Sequence, residues 1–338
     1  MTHSLNPAPR LAVCIPAYNA PAFLAEALTS LCDQGLRRED YVVVVSDDAS
    51  PSPLAEVVDG FRDRLQIVFH RQAANVGHLA NWDAAWQMVD APFISFLAHD
   101  DVVAPGHFAR ALAAIEHDAG AVLVSSLVLS QSHPGALNTH QQGVLLRGAG
   151  RASFTNPYRW DRTEWLALAL VATPNSIVGS VFRTGAFRRC REWRSYPIWH
   201  DRLMLAEMGL HGTVLTLPWI AGHYRTGDWQ LSGRIWQPDM SEFEKATAAV
   251  FGWCAANGID VIRFWIDQIC TAAESERLLY LQMIRSALDP PVFDELKREC
   301  EARLNTRLPL GRLERLGIPA PVVALLRRVD QQLMSRRP

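Results

Sequence analysis

Short apolar runs alternate with helical patterns through the first third of this chain. The apolar runs that indicate buried strands are Leu11–Ile15, Tyr41–Val45, Gln66–His70 and Phe93–Leu97. Between them, apolar residues recur at helical spacing in Pro21–Cys32, Leu54–Phe61 and Ala80–Val89. Because strands that alternate with crossover helices form parallel sheets, the sequence predicts an α/β fold. Ligands of such sheets collect at the carboxyl ends of the strands.

The pattern changes further along the chain. A helix over Pro105–Asp118 and a strand over Ala121–Leu129 are followed by residues 130–162, whose Gly, Ser, Asn, Pro and Gln content indicates loop and short strands. Regular structure resumes over Glu164–Ala172, Ser176–Phe182, Asp201–Met208 and Thr213–Leu217. Beyond Asp239, only long helices are predicted, over Phe243–Ala256, Val261–Ala287 and Pro291–Leu304. We therefore expect an α/β domain over residues 1–238 and a helical C-terminal region over residues 239–338.

The charge balance of the whole chain gives no reason to expect nucleic acid as a partner, since the formal net charge is −2. Residues 297–338, however, carry ten Lys and Arg against four Asp and Glu. A basic, partly apolar tail of this kind can contact an anionic membrane surface. The alternative is an ordinary solvated helix face.

The cysteines and the N-terminus indicate a cytoplasmic protein. Six scattered cysteines show no metal-ligand spacing, so reduced thiols are expected. The N-terminus lacks the basic and apolar regions of a signal peptide. No apolar stretch reaches the roughly 18 residues that a transmembrane helix needs. We expect a cytoplasmic location, with the basic tail able to reach the inner face of the membrane.

Polar and acidic clusters follow three of the predicted strands. These clusters are Pro16-Ala-Tyr-Asn19, Ser46-Asp-Asp-Ala-Ser50 and Ala98-His-Asp-Asp101. Parallel strands would bring all three to one edge of the sheet. Two acidic clusters without a Walker-type loop or a GxGxxG motif suit a divalent cation, Mn²⁺ or Mg²⁺, that bridges carboxylate to diphosphate. The alternative is helix capping, by Asp47 or Asp48 after Pro53 and by Asp100 or Asp101 after Pro105.

Four segments in order resemble the motif set of family 2 glycosyltransferases, which have the GT-A fold. They are "CIPAYNAPAFLAEALTSL", "VVVVSDDAS", "NVGHLANWDAAWQMVDAPFISFLAHDDVVAPG" and "IWHDRLMLAEMGLHG" with the following "LTLPWIAGHYRTGDWQLSG". The resemblance covers about residues 10–235 and implies a mostly parallel sheet flanked by helices. It also implies a nucleotide-binding half at about 10–130, an acceptor half at about 150–238 and a helical appendage over 239–338.

The resemblance implies roles for the matching residues. Those expected at the nucleotide-sugar are Pro16, Ala17, Tyr18, Asn19, Asp47, Asp48, Asn75, Gly77, His78, His99, Asp100 and Arg225. Asp100, supported by Asp101, would hold the metal. Asp201 would be the catalytic base, since inverting transfer needs a carboxylate to take the proton of the attacking hydroxyl. The alternative role for Asp201 is the N-cap of a helix over Leu203–Met208.

Two departures from the family pattern concern the diphosphate. Ala98 stands where the first Asp of the family's DxD motif is expected, and His99 fills its middle position. The family's Y-R-x-H-G segment is Tyr224-Arg-Thr-Gly-Asp228 here, without the histidine. His223 or Asp228 could substitute for it, or Arg225 could pair with phosphate directly. Trp199, His200 and Trp229 are expected at the acceptor, because aromatic faces serve sugar sites.

The resemblance implies an inverting transferase that moves a sugar from a nucleotide-sugar to a hydroxyl acceptor. The absence of Q-x-x-R-W and of transmembrane helices favours a non-processive enzyme. The expected acceptor is a lipid-linked or bacterial surface-polysaccharide glycan, and the motif forms resemble rhamnosyltransferase-like members. Two alternatives remain open at this point: a nucleotidyltransferase of similar layout, and a catalytically silent glycan-binding or scaffold protein of the same fold.

Overall fold

The computed structural model describes residues 8–130, 157–171, 173–225, 241–285 and 287–308. The first elements follow the predicted alternation: β1 (Leu11–Ala17), α1 (Pro21–Leu31), β2 (Tyr41–Asp47), α2 (Ala55–Asp59), β3 (Ile67–Arg71), α3 (His78–Gln87) and β4 (Phe93–Phe96). Each predicted strand of this part is present. The helix α2 is shorter than its sequence pattern indicates.

The middle of the chain completes the sheet. Its elements are β5 (Val102–Val103), α4 (His107–His117), β6 (Ala121–Ser130), β7 (Tyr158–Trp160), α5 (Arg162–Val171), β8 (Val181–Arg183), α6 (Thr184–Phe187), a 3₁₀ turn (Glu192–Ser195), α7 (His200–Met208) and β9 (Thr213–Tyr224). The short strand β5 was not predicted, whereas β7 lies within residues 130–162, where loop and short strands are expected. Of the range Ser176–Phe182, where regular structure is expected, only the last two residues belong to a strand, β8.

The strands form one sheet in the order β3-β2-β1-β4-β8-β6-β9-β5, and β7 also pairs with β9. β3, β2, β1 and β4 run parallel, as the sequence predicts. β8 enters antiparallel between β4 and β6, and both β5 and β7 lie antiparallel to β9. The parallel character therefore holds for the first half of the sheet, while the second half is mixed.

The sheet is buried on both faces because its strands alternate side chains between two cores. In β1, Leu11, Val13 and Ile15 pack in the cluster that includes α1, α2 and α4. Ala12 and Cys14 point to the opposite face, in the cluster that includes α3 and α5. A helical layer on each side of the sheet follows from this alternation.

The C-terminal helices are α8 (Ser241–Ala256), α9 (Val261–Thr271), α10 (Glu274–Arg285) and α11 (Pro290–Leu304). The single helix predicted over Val261–Ala287 is wrong, because two helices occupy that range. The first ends at Ala272, whose backbone is extended with ψ 155°. Glu274 and Glu276 then lie in the first turn of α10, where the helix dipole favours acidic side chains.

The hydrophobic cluster that includes α3 and α5 also contains residues of the C-terminal helices. Leu166 of α5, Leu203 of α7 and Trp265 of α9 are all fully buried in it. The α/β part and the C-terminal helices thus share a core. The domain boundary expected near residue 238 lies between described residues 225 and 241 and stays a prediction.

Part of the basic tail lies on α11, and its charges have acidic partners. Lys297 Nζ lies 3.5 Å from Glu301, and Arg303 lies 2.8 Å from Asp267. Residues 309–338 fall outside the described chain. None of the helices in the described ranges is long and apolar enough to cross a membrane. All six cysteines lie in these ranges and are free thiols.

Candidate active site

The carboxyl ends of β1, β2 and β4 meet at one edge of the sheet. Ala17 of β1 is in register with Asp47 of β2, and the Asp48 amide donates to the Ala17 carbonyl at 2.9 Å. From the other side, His99 Nδ1 lies 3.3 Å from the Pro16 carbonyl oxygen. The structure therefore brings the three motifs that follow these strands into one continuous rim.

Asp47 holds the turn between β2 and its helix. Its side chain is fully buried, and one carboxylate oxygen accepts from both the amide and the hydroxyl of Ser50. The other oxygen accepts from Arg71 Nη1 at 2.7 Å. Ser50 Oγ in turn accepts from the Asn19 amide at 2.8 Å, so the Asp47 turn also fixes the loop after β1.

Arg71 is a site residue that the sequence analysis missed. It is the last residue of β3, which pairs in parallel with β2, and its side chain is half exposed at the same edge of the sheet. Its position in the sequence could have indicated this, because Arg71 follows the predicted strand Gln66–His70 and the carboxyl ends of parallel strands lie at the same edge of the sheet.

Asp48 holds the Asn75–His78 loop. Its two carboxylate oxygens accept from the amides of Val76 at 2.6 Å and Gly77 at 3.0 Å. Gly77 has φ 85°, which favours glycine. Helix α2, which begins after Pro53, has no side-chain cap hydrogen bond. The capping alternative for Asp47 and Asp48 is therefore wrong, and both instead connect loops of the rim.

Asp100 and Asp101 lie side by side between β4 and β5 and are both buried. Asp101 Oδ1 accepts from the Arg225 amide at 2.9 Å, which ties it to the end of β9. The Asp100 carboxylate makes no hydrogen bond or ion pair with any described residue. Helix α4 has Gly106 at its N-cap and no side-chain cap bond, so the capping alternative is wrong for both acids.

This pair of acids suits a hard cation. Burial and the neighbouring Asp100 charge raise the pKa of Asp101 well above its usual range. Two adjacent buried carboxylates repel each other when both are ionised, and a bound cation would offset that repulsion. Oxygen donors are also those that Mg²⁺ and Mn²⁺ prefer. The donor set therefore fits the divalent metal that the sequence predicts.

Arg225 lies against α1. Its guanidinium pairs with Glu26 and lies 5.2 Å above the Phe23 ring. His223 is exposed on β9, where it pairs with Val102 of β5, next to Asp101. Asp228 and Trp229 fall outside the described residues. The phosphate contacts expected of this segment stay predictions.

Asp201 lies in the first turn of α7. Its Oδ1 accepts from the following Arg202 amide at 2.7 Å, whereas the N-cap residue is Trp199 and makes no side-chain cap bond. The N-cap alternative for Asp201 is therefore wrong, although the carboxylate does bind a first-turn amide. Burial raises the pKa of Asp201 to about 6, despite the opposing effects of this bond and of the Arg202 charge. A carboxylate poised there can accept a proton near neutral pH.

His200 links Asp201 to the donor side of the rim. Its ring lies 5.4 Å from the ring of His78 and 5.2 Å from that of Trp82, and both of these residues belong to α3. His78 Nε2 and His200 Nδ1 lie 2.7 and 3.3 Å from the same Pro197 carbonyl oxygen. Burial and the nearby His78 lower the pKa of His200 to about 4, which keeps it neutral.

Trp199 packs in the structure against the C-terminal helices. Its ring lies 5.1 Å from that of Phe243 in an edge-to-face arrangement. Its amide and that of Ile198 both donate to Glu242 Oε1. The acceptor contact expected of Trp199 stays a prediction.

A second group of ligand types lies at the far end of α7. Cys190, Glu207 and His211 have potential ligand atoms within 4.8 Å of one another. Glu207, however, already accepts from the amides of Arg191 and Glu192, and burial raises the pKa of the Cys190 thiol far above its usual range. This group is better explained as a loop anchor packed against a core thiol.

A family model described as Glycosyl transferase family 2 matches residues 12–191, more than half of the chain. The chain belongs to this family. It is similar to the validoxylamine A glucosyltransferase of Streptomyces hygroscopicus subsp. jinggangensis, with 37% identity over 109 residues, 31% of this chain and 25% of that protein. It is also similar to the poly(ribitol-phosphate) beta-N-acetylglucosaminyltransferase TarS of Staphylococcus aureus strain Mu50, with 26% identity over 117 residues, 34% of this chain and 20% of that protein. The matched part spans a quarter of these relatives or less.

Solved structures resemble this family 2 chain over most of its length. S. aureus TarS 1-349 in complex with UDP has a TM-score of 0.60 at 13% identity and covers 87% of this chain and 89% of its own. The mannosyltransferase PcManGT from Pyrobaculum calidifontis, in complex with GDP-Man and Mn²⁺, has a TM-score of 0.53 at 14% identity, with coverages of 98% and 88%. At these identities the likeness concerns the fold, and it confirms the expected GT-A architecture with C-terminal helices.

Proposed function

We propose that this protein is an inverting, non-processive glycosyltransferase that moves a sugar from a nucleotide-sugar to a hydroxyl acceptor. One observation supports this most. His200 packs on His78 of the Asn75–His78 loop and on Trp82, and the half-buried Asp201 is the next residue along the chain. A single displacement at an anomeric carbon requires a proton acceptor close to the bound nucleotide-sugar, so the base and the nucleotide-sugar site should lie on neighbouring elements.

The donor nucleotide would lie on the rim of the first half. Tyr18 is 45% exposed there, and the Asn75–His78 loop borders the same edge. Pro16, Ala17, Asn19 and His99 would contact the nucleotide from the rim with their backbone and side chains. Asp47 and Asp48 would act indirectly by holding the loops of the rim, since their oxygens are taken by Ser50, Arg71 and loop amides.

Asp100, with Asp101 beside it, would hold Mn²⁺ or Mg²⁺ against the donor diphosphate. When bound, such an ion neutralises the charge that develops on the leaving nucleoside diphosphate. The PcManGT structure, which contains GDP-Man and Mn²⁺, supports this choice of cation class. Asp101 accepts from the Arg225 amide, which joins the pair to the end of β9.

Asp201 would act as the base. The acceptor oxygen forms a bond to the anomeric carbon as the bond from that carbon to the diphosphate oxygen breaks. The acceptor proton passes to the Asp201 carboxylate, and the electron pair of the broken bond leaves with the nucleoside diphosphate. Attack from the face opposite the leaving group inverts the anomeric configuration.

The acceptor would be a lipid-linked or surface-polysaccharide glycan of a bacterium. The name of TarS, a transferase acting on poly(ribitol-phosphate), supports an acceptor of this general class. His200, Trp199 and Trp229 would contact it, and the basic C-terminal tail would bring the protein to the inner face of the membrane. The family match gives no support to nucleotidyl transfer. The likeness to rhamnosyltransferases stays a prediction.

Donor hydrolysis tests the proposal without knowledge of the acceptor. The wild type is incubated with Mn²⁺ and a panel that includes UDP-N-acetylglucosamine and GDP-mannose, and the released nucleotide is measured. We expect slow metal-dependent release from at least one donor, and its loss in Asp100→Ala, because the carboxylate without a described partner is removed. Release that is absent from every donor, or equal in Asp100→Ala, would favour a catalytically silent protein of this fold.

A further inference from the structure

The N-terminal turn of α8 contacts the segment that leads into Asp201. Glu242 Oε1 accepts from the amides of Ile198 at 2.7 Å and Trp199 at 3.0 Å. Trp199 is the N-cap residue of α7 but offers no capping side chain of its own. A carboxylate that lies 43 residues further along the chain than Trp199 therefore anchors the start of the helix that carries Asp201.

The same helix also contacts α7 on the other side of Asp201. Arg202 is fully buried, and its guanidinium donates to Thr247 Oγ1 of α8 at 2.9 Å. That guanidinium also lies 4.6 Å from the Phe243 ring, against which Trp199 packs. Helix α8 thus contacts the residues two before and one after Asp201 and anchors the chain on both sides of that carboxylate.

The chemistry of the contact favours a specific anchor over a chance surface bond. Hydrogen bonds from amides to an ionised carboxylate are stronger than those between neutral groups. A negative charge is also favoured near the N-terminus of a helix such as α7. Glu244, in the same turn of α8, is exposed and offers a matched carboxylate outside this contact.

We infer that Glu242 is a positioning residue for the transfer reaction. It fixes the backbone of Ile198 and Trp199 and, through them, the direction of the Asp201 carboxylate. The inference rests on the proposed role of Asp201 as the base. It makes the first turn of the C-terminal helices part of the active site, whereas the sequence predicted an appendage.

The test compares Glu242→Ala with Glu244→Ala, using the nucleotide-sugar of the panel that the wild type hydrolyses. Because a misplacement of about 1 Å can cost about 100-fold in rate, we expect kcat of Glu242→Ala to fall at least about tenfold. Binding of UDP or GDP with Mn²⁺, measured by calorimetry, should not change. Glu244→Ala should keep the wild-type kcat. Equal kcat in the two variants would overturn the inference.

A double variant separates positioning from an independent effect. If Glu242 acts through Asp201, Glu242→Ala should cause no further loss of kcat in an Asp201→Asn background. A full additional loss would overturn the inference. If Asp201→Asn alone keeps the wild-type kcat, the proposed base fails. An inactive Asp201→Asn with a fully active Glu242→Ala would overturn only the role of Glu242.

A second substitution covers the case in which Glu242→Ala does not fold. Glu242→Gln keeps one acceptor oxygen but loses the charge, so we expect a folded protein with kcat below that of Glu244→Gln. Equal kcat in these two variants would contradict the inference. Amide exchange gives an independent measurement, because the amides of Ile198 and Trp199 should exchange faster in either Glu242 variant and not in the Glu244 variants.

Discussion

Four aspartates lie at the rim and a fifth, Asp201, lies in the first turn of α7, and their surroundings suit different tasks. Asp47 and Asp48 are buried and saturated with hydrogen bonds from Ser50, Arg71 and loop amides. The other three are Asp100, Asp101 and Asp201. Asp100 has no partner among the described residues, which suits a metal ligand. Asp201 accepts one helix amide and keeps a raised pKa, which suits a proton acceptor.

The raised pKa of Asp201 predicts an acid limb in the pH profile. The base works only when deprotonated, so below a pH of about 6 each further pH unit should lower kcat/KM about tenfold. The measurement is the pH dependence of donor hydrolysis at two Mn²⁺ concentrations. If the pH at which kcat/KM begins to fall changes with the Mn²⁺ concentration, the fall reports loss of the metal instead. A rate that stays flat down to pH 5 would contradict the assignment.

At the scale of elements, the short strand β5 decides where the paired acids lie. It follows Asp101 directly and pairs with β9, with Val103 opposite Gly222. A Cβ atom on Gly222 would lie only 2.0 Å from the Val102 carbonyl oxygen. Such close backbone approach requires glycine, since any side chain would push the two strands apart.

Gly222→Ala should therefore destabilise the fold and weaken the proposed metal site. We expect a loss of about 1–3 kcal/mol in the free energy of unfolding, as for other overpacked positions, and weaker Mn²⁺ binding. Thermal melting and metal titration measure the two effects. The matched control is Gly252→Ala in α8, where a Cβ meets nothing within 4 Å and a gain of about 1 kcal/mol is expected. If Gly222→Ala has a lower melting temperature but binds Mn²⁺ as tightly as the wild type, β5 does not position the paired acids.

The sequence predicts the local elements well and the long-range pairings poorly. β1, β2 and β4 could be recognised because buried strands with helices between them leave a continuous pattern, and their motifs follow directly. The antiparallel β8 could not, since Val181–Arg183 is too short to show which strands it joins. Arg71, which pairs with Asp47, and the Val76 and Gly77 amides that bind Asp48 are 24 to 29 residues away along the chain, so local spacing suggested helix capping instead.

At the scale of the whole molecule, the site joins three parts of the chain. The donor rim comes from the parallel half of the sheet, and the proposed base comes from α7, which follows β8. The first turn of α8 fixes the base. The core shared by α5, α7 and α9 explains how these parts keep their relative positions.

The comparison of donor binding with turnover in Asp201→Asn tests the account most directly. Asparagine keeps the shape and the helix amide bond but cannot take a proton. We predict that calorimetric binding of UDP or GDP with Mn²⁺ stays near the wild-type value, while turnover of the active nucleotide-sugar falls about 100-fold to 10,000-fold. Turnover at the wild-type rate, or a loss of nucleotide binding that accounts for the lost turnover, would contradict the account.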